Sequence, residues 1–295
     1  MKKFQVKDSK TNRLDLEARE LFPQYSRSTI KSLIYDGAIL LNNKRVKPNS
    51  KVKVGDIITF TSENLKIKKL TKNKIVPFKI NLKILYEDEN IIAVDKPAGI
   101  VSHPDSTHHS ITVLNGILFL LKNKKYQRIR LLHRLDKDTS GIILATKNLK
   151  AHNYYSNLFV QNKVKKEYLA VVKGDFRRIL DNKPEITVIN YLKYFKKNDS
   201  KSKSYEVGKD KGEKAVTTFE FVEFSNGYSL VLAKPLTGRT HQIRSHLAYL
   251  GFPIVGDTLY GGKPFKRLML HAYKITLTKM NGEKIVLESM LPKDF

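Results

Sequence analysis

Two short stretches of the chain concentrate residue types that can do chemistry. The first is His133-Arg134-Leu135-Asp136-Lys137-Asp138-Thr139-Ser140-Gly141, lying between Leu131-Leu132 and the apolar run Gly141 to Thr146. A carboxylate on a loop held between rigid elements can serve as nucleophile or base, and cations beside it favour its charged form. Asp136 is the candidate, although Asp136 and Asp138 could equally cap the loop by accepting backbone N–H bonds. The second stretch is Leu236-Thr237-Gly238-Arg239-Thr240-His241-Gln242-Ile243-Arg244-Ser245-His246-Leu247. If Ile243 and Leu247 face a core, Arg244 lies roughly a hundred degrees around the helix and reaches a neighbouring groove. Its permanently charged guanidinium can pair bidentately with a carboxylate there, or simply face solvent.

Other chemistries lack their residues. The cysteine count is zero, which removes thiol nucleophiles, disulfides, Cys-ligated zinc and iron–sulfur clusters together. His241 and His246 are five apart, wrong for an i, i+4 zinc pair, and His103, His108 and His109 have no supporting acid cluster. No metal and no cofactor is expected. Asp136 and Asp138 are two apart on one loop and need not converge as paired glycosidase acids. Two further pieces are a rigid turn, Lys96-Pro97-Ala98-Gly99, and Lys166-Glu167-Tyr168, which sets an aromatic at the start of a strand where core packing is the ordinary fate.

These pieces must be positioned by a larger α+β region. Leu82 to Tyr86 and Ile91 to Asp95 read as a hairpin, Gly141 to Thr146 as a buried strand, and 148–162 as a helix with Leu149, Tyr155, Leu158 and Phe159 inward. Glu167 to Lys173 is a strand, and Asn226-Gly227 joins strands at 216–224 and 228–233. A helix over 240–250, with Thr240 able to cap it, is stopped by Gly251. Hairpin-joined strands with few helices favour a mixed, mainly antiparallel sheet. Between Tyr191 and Lys214 lies a loop or strand excursion with eight lysines and four acids.

Ahead of this region, residues 1–62 read as a small module. Leu14, Leu16, Ala18, Leu21 and Phe22 keep helical spacing up to Pro23, and Ser26-Arg27-Ser28-Thr29 starts a second helix that ends at Gly37. Ile39 to Leu41, an Asn42-Asn43 turn and a strand over 52–58 follow. The module resembles an S4 RNA-binding domain, including Arg13-Leu14-Asp15; the resemblance makes Arg27, Lys31, Lys44 and Arg45 candidate RNA contacts. Residues 63–80 are lysine-rich without an apolar period, a basic linker that self-repulsion extends and that can touch phosphates. The remainder, 81–295, is the larger domain.

The chain has 295 residues, and its 55 basic against 28 acidic residues leave a net charge of +27. That length suggests about two domains. Such a charge calls for a polyanion, nucleic acid first and an anionic membrane second. The longest apolar run, Ile111 to Leu121, is too short to span a bilayer, and Met1-Lys2-Lys3 has no apolar segment behind it. No membrane partner is expected, and the composition suggests a soluble, cytoplasmic protein.

Taken together, the motifs resemble the RluA family of RNA pseudouridine synthases, in its long form with an S4 domain. His133-Arg134-Leu135-Asp136-x-x-Thr139-Ser140-Gly141 is similar to the family's central motif and Thr237 to Arg244 to its C-terminal one. Lys96-Pro97-x-Gly99, Lys166-x-Tyr168 and Gly251 to Gly262 (with Asp257 and Tyr260) match in order. The resemblance implies a catalytic domain with a central cleft that isomerises uridines in structured RNA, most readily large-subunit (23S) ribosomal RNA or its precursor particles, as a monomer; transfer RNA, or a non-catalytic assembly role, are the alternatives. It implies Asp136 as the catalytic aspartate, Tyr168 as the aromatic stacked on the uracil, and Arg244 as the aspartate's partner. Arg134 would enter the stack vacated by the flipped base, with His133 beside it at the RNA. Attack on C1′, addition at C6 and abstraction at C2′ all remain open to Asp136.

Overall fold

The computed structural model describes residues 2–8, 11–23, 25, 27–61, 75–104, 111–122, 128–195 and 203–295. The chain divides into two units, Met1–Lys74 and Ile75–Phe295.

The smaller unit runs β1 (Lys2–Gln5), α1 (Leu14–Leu21), α2 (Arg27–Tyr35), β2 (Ile39–Leu41) and β3 (Ile57–Phe60). Its three strands pair antiparallel in the order β1-β3-β2. Leu14 and Ala18 of α1, Ile30, Leu33 and Ile34 of α2, and Ile39 and Ile58 of the strands form one core, as the four-residue spacings require. Past the end of α2, Gly37 adopts φ +75 and Ala38 N–H returns to the Leu33 carbonyl at 2.9 Å. Asn42 and Asn43 take left-handed φ of 50 and 62 and close the turn after β2. The strand expected over 52–58 is shorter and later: Gly55 at φ +92 and the Asp56 N–H to Lys53 carbonyl bond make a turn before Ile57. Ser26 and the side chain of Ser28 lie outside the described residues, as do 62–74 of the basic stretch.

The larger unit contains β4 (Lys83–Glu87), β5 (Ile91–Lys96), α3 (Val113–Leu120), β6 (Arg130–Leu131), β7 (Ser140–Thr146), α4 (Leu149–Val160) and β8 (Lys165–Lys173). It continues with β9 (Glu185–Phe195), β10 (Lys203–Glu206), β11 (Glu213–Ser225), β12 (Tyr228–Pro235), α5 (Gln242–Tyr249), β13 (Leu270–Thr278) and β14 (Lys284–Glu288). Its 11-stranded sheet has the order β10-β9-β11-β12-β8-β13-β7-β5-β4, with β14 on β13 and β6 on β7. The β13–β7 pair is parallel and the other described strand pairs of this sheet are antiparallel, so it is mixed as expected.

Alternation along β5 and β7 decides which helix covers which face. Ile91, Ala93, Ile142 and Leu144 meet Ala151 and Tyr155 of α4, whereas Ile92, Val94, Ile143 and Ala145 meet Val113 and Ile117 of α3. A strand covered on both faces reads as an unbroken apolar run, which is why β7 was legible. Leu149 departs from expectation: it opens α4 and is 48% exposed. Residues 76–78 are tied to α3, since Asn115 Nδ2 donates to the Val76 carbonyl at 2.7 Å and Phe78 N–H donates to the Asn115 carbonyl at 3.1 Å. Farther along the sheet, Ile243 and Leu247 of α5 pack with Phe219, Val231 and Leu270. The sheet centre (β12-β8-β13-β7) thus carries both chemistry-bearing stretches.

Candidate active site

Asp136 lies in the loop between β6 and β7, and that loop is braced residue by residue. Ser102 Oγ accepts from Leu135 N–H at 3.0 Å and donates to the Leu135 carbonyl at 2.7 Å. Lys96, fully buried, donates from Nζ to the carbonyls of Pro97, Lys137 and Thr139 at 3.0, 2.8 and 2.6 Å. Burial pushes its pKa down to about 7, against the pull of Asp138 and Asp136. Gly141 has φ +110 and closes the loop where β7 meets β13; a Cβ there would stand 2.3 Å from the Ala272 carbonyl oxygen. The Lys96 and Gly141 positions of the two motifs are therefore spent on holding the aspartate's loop.

Arg244 faces this loop from α5. Its Nε and Nη2 bond Asp257 at 2.6 and 2.8 Å, both groups being buried, and its Nη1 stands 3.6 Å from Asp136 Oδ2. The guanidinium lies 5.2 Å over the Tyr260 ring. Burial alone would weaken its charge, but pairing with Asp257 and the nearby Asp136 raises its pKa. The expected partner of Asp136 is thus held bidentately by a different carboxylate, and sequence reasoning gave Asp257 no role. The available signal was its place in the Gly251 to Gly262 match, where the structure has a tight turn: Gly256 has φ +83, and a Cβ there would collide with the Arg267 carbonyl.

The helix cap also differs from expectation. The residue preceding α5 is His241, not Thr240, and it is left-handed at φ 56. Gln242 fixes this turn: its Oε1 accepts from Thr237 Oγ1 and Arg239 N–H, and its Nε2 donates to the Val216 carbonyl and Thr217 Oγ1. A left-handed non-glycine residue persists only when its surroundings over-determine it. His241 Nε2 comes 3.8 Å from Asp136 Oδ2; burial lowers its pKa in spite of that carboxylate, so it is neutral near pH 7. Tyr260 Oη, which contacts His241 Nδ1 at 3.2 Å, accepts from Ser204 N–H at 2.7 Å and donates to the Ser204 carbonyl at 3.2 Å.

Asp136 and Tyr168 share a cleft of about 500 Å³ that Arg134, Ile243 and Arg244 also line. Tyr168 comes from the middle of the sheet, opposite Ala233 on β12 and Ala272 on β13. Burial, reinforced by Asp136, raises its pKa, so the phenol keeps its proton. A broader trough of about 1370 Å³ meets the cleft at Asp136 and extends past His103, Arg267 and Tyr194. The cleft falls within the volume range of small-ligand pockets and the trough exceeds it. Arg134 is exposed at their rim and donates from Nη2 to Thr240 Oγ1 at 3.1 Å. His133 also lines the cleft, but its Nε2 accepts from Leu144 N–H at 3.1 Å and its ring stacks on Phe159. Burial, with Lys166 adding to it, pushes its pKa down to about 3, so it stays neutral. Among the described residues no cluster of His, Asp and Glu could hold a metal ion.

The candidate RNA contacts of the smaller unit fall into two pairs. Arg27 Nε and Lys31 Nζ stand 3.0 and 4.0 Å from the buried carboxylate of Asp15, which Arg13 also pairs at 3.1 Å. Lys44 and Arg45 are exposed, and Arg45 lies across Gly37, whose Cβ position would be 2.4 Å from its Nε.

Profiles of two families match the chain: RNA pseudouridylate synthase over residues 90–249 and the S4 domain over residues 13–58. A ribosomal large subunit pseudouridine synthase D of Borreliella burgdorferi is 36% identical, the alignment covering 100% of this chain and 90% of the relative. An uncharacterized RNA pseudouridine synthase of Bacillus subtilis is 32% identical, over 97% of this chain and 93% of its own. Among solved structures, human RNA pseudouridylate synthase domain containing 1 superposes with a TM-score of 0.59 at 25% identity, covering 72% of this chain and 84% of that one.

Proposed function

The chain belongs to the RluA family of RNA pseudouridine synthases and carries an S4 domain, and from that premise we propose that it converts specific uridines of large-subunit ribosomal RNA to pseudouridine. The reaction is an isomerisation. The bond from N1 to C1′ breaks, C5 bonds to C1′, C5 gives up its proton and N1 gains one, so atoms balance without a cofactor. The observation that supports this reading best is Asp136 in a cleft of small-ligand size, between the protonated phenol of Tyr168 and an arginine fixed by a second carboxylate.

In this reading the target base leaves its stack at a cost of a few kcal/mol, which stacking on Tyr168 offsets by about 1–3 kcal/mol. Asp136 acts at the sugar or base with Arg244 balancing its charge. Arg134, at the rim, fills the vacated stack and holds a phosphate. The relatives named for ribosomal large subunit synthases support the choice of ribosomal over transfer RNA. Arg27, Lys31, Lys44 and Arg45 add sequence-independent contacts to the RNA backbone. The protein then works in the cytoplasm as a monomer on ribosomal RNA or its precursor particles. Among the described residues no helix is long and apolar enough to cross a membrane.

The test is pseudouridine mapping of ribosomal RNA from cells lacking the protein. Loss of one or more large-subunit sites, restored by the wild-type chain, is the expected result; an unchanged ribosomal map with a lost transfer-RNA site would move the substrate.

A further inference from the structure

Of the lysine-rich stretch between Tyr191 and Lys214, the described residues 191–195 and 203–214 have a definite form. β9 and β10 pair as an antiparallel arm at the end of the sheet, with Lys203 opposite Phe195, Ser204 opposite Tyr194 and Tyr205 opposite Lys193. Residues directly opposite share a face, and residues two apart along a strand do too. Lys193, Phe195, Lys203 and Tyr205 therefore occupy one face, while Tyr194 and Ser204 occupy the other.

The two faces have different surroundings. On the second, Ser204 Oγ donates to the Thr240 carbonyl at 2.5 Å, and the Tyr194 ring sits 5.8 Å from His241, edge to face. Tyr260 satisfies the backbone N–H and carbonyl of Ser204 on the open edge of β10. The arm is thereby fastened to the turn that precedes Arg244. On the first face, Phe195 and Tyr205 are 46% and 45% exposed, with centroids 5.7 Å apart. Lys193 Nζ lies 5.4 Å from the Phe195 ring, and Lys203 Nζ lies 4.7 Å from the Tyr205 ring and 5.6 Å from that of Tyr260.

Lysines alone on an edge strand would be explained as protection against edge-to-edge pairing. Two exposed rings paired with two cations are not explained that way, because the rings make the edge stickier. Rings interleaved with cations are what a single-stranded nucleic acid needs: π-faces for bases and charges for the phosphates between them. Resting on the reading that the substrate is RNA, we propose that this face is a stacking subsite for an unpaired nucleotide of the substrate outside the flipped uridine. The arm's other face, through Tyr194, lines the trough that leads to Asp136, so the subsite lies on the opposite side of the same two strands, outside the trough.

The experiment uses the full-length protein and a short fluorescein-labelled oligouridylate, titrated by anisotropy at several salt concentrations, with pseudouridine formation on a large-subunit ribosomal RNA transcript measured in parallel. Phe195→Ala and Tyr205→Ala should each weaken oligouridylate binding by about 5- to 150-fold with an unchanged salt slope, while Phe195→Trp and Tyr205→Phe retain it. Lys203→Ala should lower the slope by about 0.7. If wild type makes pseudouridine and the alanine variants bind like wild type, the subsite is wrong and the substrate reading stands. If wild type makes none on ribosomal RNA, the ribosomal substrate is wrong, and the oligouridylate titration still decides the subsite. Unchanged thermal unfolding of the alanine variants separates lost stacking from a disturbed arm.

Discussion

Asp15 in the smaller unit and Asp136 in the larger both stand near arginines, and they are treated in opposite ways. Asp15 is fully buried and takes direct contacts from Arg13 at 3.1 Å and Arg27 at 3.0 Å, with Lys31 at 4.0 Å. Burial alone would raise its pKa; the hydrogen bonds from Arg27 and Arg13 more than reverse that and lower it. Asp136 is 28% exposed, with Arg244 and His241 near it at 3.6 and 3.8 Å, beyond hydrogen-bond reach. Here the arginine is the saturated member, gripped by Asp257 on two of its nitrogens. A carboxylate that accepts from two arginines, on both of its oxygens, holds a fold together. One kept beside a fixed positive charge, to which no described residue donates a hydrogen bond, can still react.

The largest effect should come from Asp136→Asn, which removes charge and nucleophilicity and leaves the shape. Pseudouridine formation should fall to background while RNA affinity and thermal unfolding stay near wild type, since the side chain bears no packing. Turnover close to wild type would remove Asp136 from the chemistry. Next comes Asp257→Asn. Taking a charge from a buried bidentate pair costs about 3–5 kcal/mol, and it frees Arg244 to turn fully onto Asp136. Both stability and turnover should drop, with kcat falling more than KM rises. A variant that loses stability but keeps kcat would make Asp257 merely structural and erase the contrast drawn between the two aspartates.

The local pattern, a cationic loop leading straight into an apolar run, marks Asp136 and Asp138 as candidate acids, and only the resemblance to the RluA family separates Asp136 from a loop cap. The two-sided burial of β7 and the left-handed Asn226-Gly227 turn, at φ 52 and 81, were legible from local pattern. The pairing of Arg244 with Asp257 was not. It joins residues thirteen apart across a turn whose shape is set by backbone crowding at Gly256, and no periodicity records that. Thr240 looked like a helix cap on residue type, but the Gln242 bonds override the preference and pull His241 into the cap position. The strand expected over 52–58 failed because Val52 and Ile58 alternate like a strand while Gly55 turns the chain between them. The β9–β10 arm carries charge where a sheet strand is usually apolar, so its pattern leaves a loop and a strand excursion both open.

The opposite treatment of the two aspartates can also be broken from the structural side. Asp15→Asn keeps the volume and removes the charge that Arg13 and Arg27 bond; hydrogen bonds to a charged group are worth about 1.5–3 kcal/mol each, less here because both arginines are half exposed and can be solvated instead. Stability of the smaller unit should fall by about that amount, read by hydrogen exchange of its α1 and α2 peptides. Turnover at saturating RNA should not change. Equal losses in turnover would mean that Asp15 is not purely structural.

The comparison also implies a difference in acid sensitivity between the units. All eight histidines lie in the larger one, and burial pushes His133 down to about 3 and His246 to about 4. In the unfolded chain they would titrate near the ordinary 6.5. Between that value and the folded one, the unfolded state binds protons that the folded state refuses. Their contribution is therefore fully present above about pH 6.5 and shrinks as pH falls, by about 1.4 kcal/mol per pH unit for each histidine. Asp15, a buried carboxylate of the smaller unit, is depressed below its ordinary 3.8, so its contribution holds until much lower pH. Hydrogen exchange at pH 7, 6 and 5, corrected for the intrinsic rate, should show protection falling in β7 and α5 while α1 and α2 hold theirs. Substituting His133→Gln should flatten the decline in β7, because a neutral side chain at that position removes one proton from the balance; a decline of the same steepness in that variant, or a parallel loss in both units, would show that the histidines do not set it.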